Sequence, residues 1–268
     1  YNGNPTGYTA DPQELINYSE AHDNLTLFDS IQLRAPATAT AADRARMQAL
    51  GSDLVALGQG VPFFHAGQDI LRSKSFDGNS YNSGDWFNRL DWTYQTNNFG
   101  VGLPPDAESN WPVFAPLLAN PALRPGPSLI QASRAHVEEM LRIRKSSPLF
   151  RLRTAAEVQA QVSFLNTGPN QVSGLIVMVL TESRSLHFDN PYRQIVVVFN
   201  AAPTAQTFSD PSLAGAGLRL HPVQQASSDA LVRTASSNAA AGSLSVPGRT
   251  TAVFVQMEQQ VSLPLVAR

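Results

Sequence analysis

The chain has no cysteine, only two lysines and no long hydrophobic run. Without cysteine there is no disulfide, no thiolate nucleophile and no cysteine-based metal site, and the redox compartment stays open. Lys74 and Lys145 are the two lysines among 19 basic residues. A bias of that kind reads as genome composition rather than mechanism. The longest apolar runs, 175–180 and 195–199, are strand-length, far short of the roughly 20 residues of a membrane-spanning helix. A formal charge of -2 supplies no basic surface for nucleic acid and no acidic tail. What remains is 268 residues, 43% hydrophobic and 15% charged: a globular protein with room for one large domain or two ordinary ones. The first eight residues lack the pattern of a secretory leader, and a start at Tyr1 without Met reads as a segment of a longer polypeptide.

The pattern changes near Pro148. Before it, a short β-prone run at 16–19 precedes a helical period over 43–57, where Met47, Leu50, Leu54 and Leu57 recur and Gly58-Gln59-Gly60 gives the stop. A second short strand is expected at 61–66, then a polar stretch at 68–127 rich in Asn, Gly and Pro. A strongly periodic helix follows at 129–144, with Val137, Met140, Leu141 and Ile143 on one side. Strand, helix, strand, long loop, helix implies parallel strands with helices packed outside. A loop of that length is usually functional. Two strands and two helices cannot close such a core, so this half reads as the end of a larger α/β structure.

After Pro148, strands are expected at 161–166, 174–181, 194–200, 218–222 and 250–256, punctuated by Gly, Pro, Asn and Ser. No helical period of useful length intervenes, and 226–245 reads as a surface loop or weak edge. This is the pattern of an antiparallel β-sandwich. The fold class is therefore α/β followed by all-β, with domains at 1–148 and 149–268.

The most informative run is Asn17-Tyr18-Ser19-Glu20-Ala21-His22-Asp23-Asn24. It places His22 and Asp23 directly after an apolar strand, where parallel α/β sheets and barrels carry their active sites. A carboxylate beside an imidazole suits binding of sugar hydroxyls and stabilisation of developing positive charge. Alone, His-Asp-Asn occurs by chance in many proteins, and a helix cap or satisfied turn is its commoner use.

The run 16–29 resembles the strand-seven motif of the α-amylase superfamily in its pullulanase form. Gly60-Val61-Pro62-Phe63-Phe64-His65-Ala66-Gly67-Gln68-Asp69 resembles that family's eighth strand. Leu71-Arg72-Ser73-Lys74-Ser75 and Asn79-Ser80-Tyr81-Asn82-Ser83-Gly84-Asp85-Trp86-Phe87-Asn88 are similar to the pullulanase branch specifically. Arg144 to Phe150 and Ile195 to Asn200 also match, so the similarity covers nearly the whole chain in order.

The resemblance implies the C-terminal portion of a (β/α)8 barrel followed by a β-sandwich, and retaining hydrolysis of α-1,6 bonds in branched α-glucans. It gives Asp23 the part of the carboxylate that stabilises the transition state, and His22 that of a neighbour binding the same glucose. Asn79, Asp85 and Arg89 are candidate sugar ligands by position and hydrogen-bonding chemistry, or else residues that knit the loop. The nucleophile and the acid belong to strands four and five in this family, which precede the chain. The fragment is thus expected to be inactive by itself, its partners being the glucan and the N-terminal remainder of the barrel. No cofactor is expected. Family members often bind calcium, but no ligand cluster identifies a site. The resemblance favours a secreted or periplasmic enzyme while the sequence leaves the compartment open.

Trp86, Trp92 and Trp111 offer faces for stacking on glucose, although Trp86-Phe87 is more simply read as packing the loop down. His65 reads as a satisfied interior histidine, and His136, His187 and His221 as isolated. A different class, a non-catalytic glucan-binding or structural module, is motivated by the missing carboxylates. Against it, residues 150–268 hold no Trp and only Tyr192 among tyrosines, a poor stock of stacking platforms.

Overall fold

Two short strands, β1 (Ile16–Asn17) and β2 (Val61–Pro62), pair in parallel, with Ile16 opposite Val61. The computed structural model describes residues 9–81, 83–182 and 190–257; His187 lies outside them. Gly60 takes φ +96° just before β2, and a Cβ there would sit 2.9 Å from the Leu15 carbonyl oxygen. Only glycine admits both the backbone and the approach. The second strand is shorter than expected: the Phe63 amide still donates to the Asn17 carbonyl at 2.8 Å, but the chain leaves the pairing after it and bends at Gly67.

Helices α1 (Leu27–Arg34) and α2 (Ala41–Leu57) connect the strands. Thr26 caps α1 by accepting from the Asp29 amide at 3.1 Å, and Thr40 with Asp43 forms a reciprocal capping box on α2. The first helix was not evident in the hydrophobic pattern. Helix α2 also departs from a simple apolar stripe: Leu54 is exposed, whereas Arg44, Gln48, Ser52 and Asp53 are buried. Arg44 compensates by donating to the carbonyls of Ile31, Gln32, Pro36 and Ala39, which closes the C-terminal end of α1.

The stretch expected as a long loop contains α3 (Asp85–Asn88) and α4 (Trp111–Leu118), with one 3-10 segment between them at Pro105–Asn110 and another after α4 at Pro121–Leu123. Its core is aromatic: Phe76 stacks on Phe114 at 4.8 Å and meets Phe99 edge-on at 5.6 Å. Helix α5 (Pro127–Ser146) starts with Pro at its first position. It buries Val137, Met140 and Ile143, while Leu141 is exposed. Arg144 donates from it to the carbonyls of Ala56, Gly58 and Gly60, tying α5 to the end of α2.

The second half opens with a helix that the sequence did not advertise, α6 (Ala155–Gln161), held by a Thr154/Glu157 capping box. Strands β3 (Val162–Leu165), β4 (Leu175–Thr181) and β5 (Tyr192–Asn200) then follow. After these come β6 (Gln206–Ser209), β7 (Arg219–Leu220), the single turn α7 (Pro222–Gln225), β8 (Ser236–Asn238), β9 (Ser243–Val246) and β10 (Thr250–Met257). One antiparallel sheet has the order β3-β4-β5-β10-β7 and another the order β6-β9-β8. The segment 226–245 is therefore more than a loop: it includes the short, exposed edge strand β8, as one of the two expectations had it, and leads into the central strand β9. It supplies β8 and most of β9, and it buries Val232, Ala235 and Leu244.

The larger sheet is buried on both faces except towards its β3 edge, where Phe164 and Ile176 are exposed. Val177, Val179, Val196, Val198 and Phe254 face Phe208, Leu244 and Val246 of the smaller sheet. Met178, Leu180, Ile195, Val197, Val253 and Val255 face Leu57, Met140, Ile143 and Phe150. Successive side chains of a strand point to opposite faces, so double burial explains the unbroken apolar runs at 175–180 and 195–199. Among the described residues no helix is long and apolar enough to cross a membrane.

Candidate active site

Because β1 and β2 run in parallel, the segments after them emerge at the same end of the pair. His22 and Asp23 follow β1, and His65 follows β2. The His22 and Asp23 side chains are 86% and 75% exposed and approach to 3.3 Å between Nδ1 and Oδ1. They stand on a closely held backbone. Lys74 Nζ donates to the His22 carbonyl at 2.7 Å, and the Asn24 amide donates to the Gly78 carbonyl at 2.9 Å. Asn24 has φ +63°, a left-handed conformation that asparagine tolerates better than most residues.

Behind this turn runs a chain of buried polar groups. Glu20 Oε1 lies 3.1 Å from His65 Nδ1, and its other oxygen accepts from the Leu27 amide. Arg72 donates to His65 Nε2 at 3.0 Å, to the Ala66 carbonyl at 3.0 Å and to the Asn88 carbonyl at 3.2 Å. A guanidinium can only donate, so Nε2 accepts and Nδ1–H donates to Glu20. His65 is thus the satisfied interior histidine expected of it. The chain joins the loop after β1, the loop after β2 and helix α3.

A second hub is Asp29, fully buried at the start of α1. Its carboxylate accepts from Ser73 Oγ at 2.5 Å, the Lys74 amide at 2.8 Å and the Phe76 amide at 3.3 Å. Burial pushes its pKa up to about 6, against those three hydrogen bonds, which pull the other way. The bonds hold a backbone in which Leu71, Ser75 and Phe76 all have positive φ.

The remaining candidates lie around this frame. Asp85 and Arg89 are exposed at the two ends of α3, which Asn88 anchors through Ser80 and Arg72. Asn79 is exposed and donates to Asp106 at 3.2 Å, the contact of a loop-knitting residue. Trp86 is 63% exposed and Trp92 60%, whereas Phe87 is buried, so Phe87 and not Trp86 packs the loop. Trp111 is tied down by its Nε1 bond to the Pro104 carbonyl. His136 and His221 are not isolated: the first pairs with Asp53 at 2.7 Å, and the second accepts from the Val223 amide and so caps α7. Among the described residues no group of three or more His, Asp and Glu could hold a metal ion.

Residues 94–257 match the family model for alpha-1,6-glucosidases, pullulanase-type, C-terminal. The chain belongs to the pullulanase family. It is 47% identical over 263 residues to pullulanase 1, chloroplastic, from Arabidopsis thaliana, covering 96% of this chain and 27% of that protein. It is 40% identical over 258 residues to the pullulanase of Klebsiella pneumoniae, covering 95% and 23% respectively. The crystal structure of the apo Klebsiella pneumoniae pullulanase superposes with a TM-score of 0.90 at 40% identity, over 97% of this chain and 28% of that one. A maltotriose complex of the same enzyme matches equally well, over 97% and 25%. The chain thus spans about a quarter of the length of these pullulanases.

Sequence reasoning missed Glu20, Asp29, Arg72 and Lys74 as supports of the His22-Asp23 turn. All four lie within or beside the quoted motifs, but nothing in a sequence distinguishes an inward-facing loop carboxylate from a solvated one. Only the bonds they make reveal them.

Proposed function

We propose that this chain is the end of an α-1,6-glucan debranching hydrolase. On this reading residues 1–148 close a (β/α)8 barrel and residues 149–268 form a C-terminal β-sandwich that buttresses it. The observation that carries the proposal is the His22-Asp23 turn at the carboxyl end of a parallel strand pair, with exposed side chains on a pinned backbone, in a chain of this family.

Asp23 is then the carboxylate that steadies positive charge as the glycosidic bond breaks, a fixed anion acting by preorganisation. His22 holds the hydroxyls of the same glucose. Asp85 and Arg89 bind further sugar units, Asn79 holds the loop beside them through Asp106, and the exposed Trp86 offers a stacking face. The nucleophile and the general acid of a retaining mechanism come from the preceding part of the barrel. The other aspartates first in line within this chain are engaged otherwise: Asp53 by His136, Asp77 by the Asn79 amide, and Asp91 by Thr93 and Thr96. Such chemistry rests on carboxylates and calls for no cofactor.

The test is pullulan cleavage by the full-length enzyme carrying this chain, before and after Asp23→Asn. Loss of one transition-state charge group costs about 10²–10³ in kcat, and a drop of that order is expected. Near-normal turnover would sink the assignment.

A further inference from the structure

Asp23 lies between two held peptide groups. The peptide preceding it presents the His22 carbonyl to Lys74 Nζ, and the peptide following it presents the Asn24 amide to the Gly78 carbonyl. Both partners belong to the segment 74–78, so that segment sets the direction in which the Asp23 side chain leaves the backbone. The segment is itself anchored. Asp29 takes the Lys74 and Phe76 amides, the Asp77 amide closes back on the Lys74 carbonyl at 2.9 Å, and Phe76 is buried among Phe99 and Phe114.

Lys74 is the unusual member of this set. It is one of the largest fully buried side chains in the protein, and lysine is almost never fully buried. The only hydrogen bond of its ammonium among those described is to the His22 carbonyl. Such a bond from a charged donor is strong, and its loss would leave that carbonyl short of a partner. The charges around the ammonium are those of its own neighbourhood: Asp77, Asp29 and Glu20 favour it and Arg72 opposes it. Seventeen arginines make up the rest of the basic residues, yet this enclosed place holds lysine. A compact point donor on a straight stem suits a single carbonyl in a closed site; a planar five-donor fork does not.

We propose that Lys74 is a positioning residue for Asp23, acting through the His22 carbonyl to hold the Asp23 carboxylate in its working direction. The inference rests on the reading of Asp23 given above. Its mechanism is geometric: the carboxylate must be in place before the transition state forms, and a misplacement of about 1 Å can cost on the order of 10² in rate. Lys74 therefore supports kcat far more than substrate affinity.

The experiment is a double-mutant cycle in the full-length enzyme, with Lys74→Met and Asp23→Asn singly and together, pullulan as substrate and kcat normalised to folded protein. Methionine keeps the apolar stem and removes the donor. Lys74→Met is expected to lower kcat at least about tenfold with KM within about twofold, and to cost less than about threefold when Asp23 is already Asn. Unchanged kcat in Lys74→Met, or the same tenfold loss in both backgrounds, overturns the proposal while leaving the role of Asp23 intact. Near-normal turnover in Asp23→Asn alone overturns both. Should Lys74→Met fail to fold, Lys74→Leu, which also removes the donor and keeps an apolar stem, takes its place in the cycle with the same readings.

Discussion

Asp29 and His221 change stability in opposite senses across one pH range. The Asp29 carboxyl has a folded pKa of about 6 against 3.8 in the open chain, because burial outweighs its hydrogen bonds. Between about pH 4 and pH 6 the native state therefore holds more protons than the unfolded state, and stability falls as pH rises, by roughly 3 kcal/mol in all. His221 is buried against Tyr192 and Ser146, and its folded pKa is lowered to about 4 from 6.5. There the native state holds fewer protons, so stability is gained as pH rises through the same range. The two slopes offset each other in the parent protein. In Asp29→Asn, urea unfolding should show stability rising from pH 4 to pH 6.5. In His221→Asn, which keeps an acceptor for the cap of α7, it should show stability falling. Parallel profiles for both variants and the parent would contradict these assignments.

At the scale of elements, one buried side chain adds a polar fastening to the apolar packing between the two antiparallel sheets. Asn200, the last residue of β5, is fully buried. Its amide nitrogen lies 3.0, 3.1 and 2.9 Å from the carbonyls of Thr204, Val246 and Pro247, and its oxygen accepts from the Ala202 amide at 3.0 Å. The end of β5 is thereby fastened to the end of β9 in the other sheet. Asn200→Ala strands several buried backbone groups, each costing about 1–3 kcal/mol when unpaired. A loss of about 3 kcal/mol is expected in chemical denaturation, and a change below about 1 kcal/mol would show that water or backbone shifts replace the side chain. Strand β9 itself illustrates what the residues of an element conceal. Ser243-Leu244-Ser245-Val246 alternates correctly, but four residues among Ala, Ser and Asn are too few to stand out. Pairing with β6 and β8 makes it a strand.

For the whole molecule, the parallel pair presents an apolar face that its own helices leave uncovered. Leu15, Ile16, Tyr18, Leu54, Val61 and Phe63 are each 40% or more exposed, and Tyr18 meets Phe63 edge-on at 6.1 Å. Contiguous apolar surface beside unpaired strand edges marks a place where further chain is meant to pack. The barrel proposed above supplies that covering. The isolated chain should therefore bind a hydrophobic dye and self-associate on size-exclusion chromatography, and Ile16→Thr with Phe63→Ser should reduce both. A compact monomer that ignores the dye would count against an incomplete barrel.

Local chemistry was enough to place the strands at 174–181 and 194–200, the helices around 43–57 and 129–144, and the His22-Asp23 turn after a short strand. Those features follow from apolar period, capping residues and turn formers, which act over a few neighbours and so are written in the chain. The residues that hold the turn were not legible in this way. Glu20 meets His65 and Asp29 meets Ser73 across 45 and 44 positions, and Lys74 reaches His22 across 52. Whether a loop carboxylate or ammonium faces water or a buried carbonyl depends on which distant segment folds against it. The scarcity of lysine looked like composition alone; only the fold shows that one of the two is enclosed beneath the candidate catalytic aspartate.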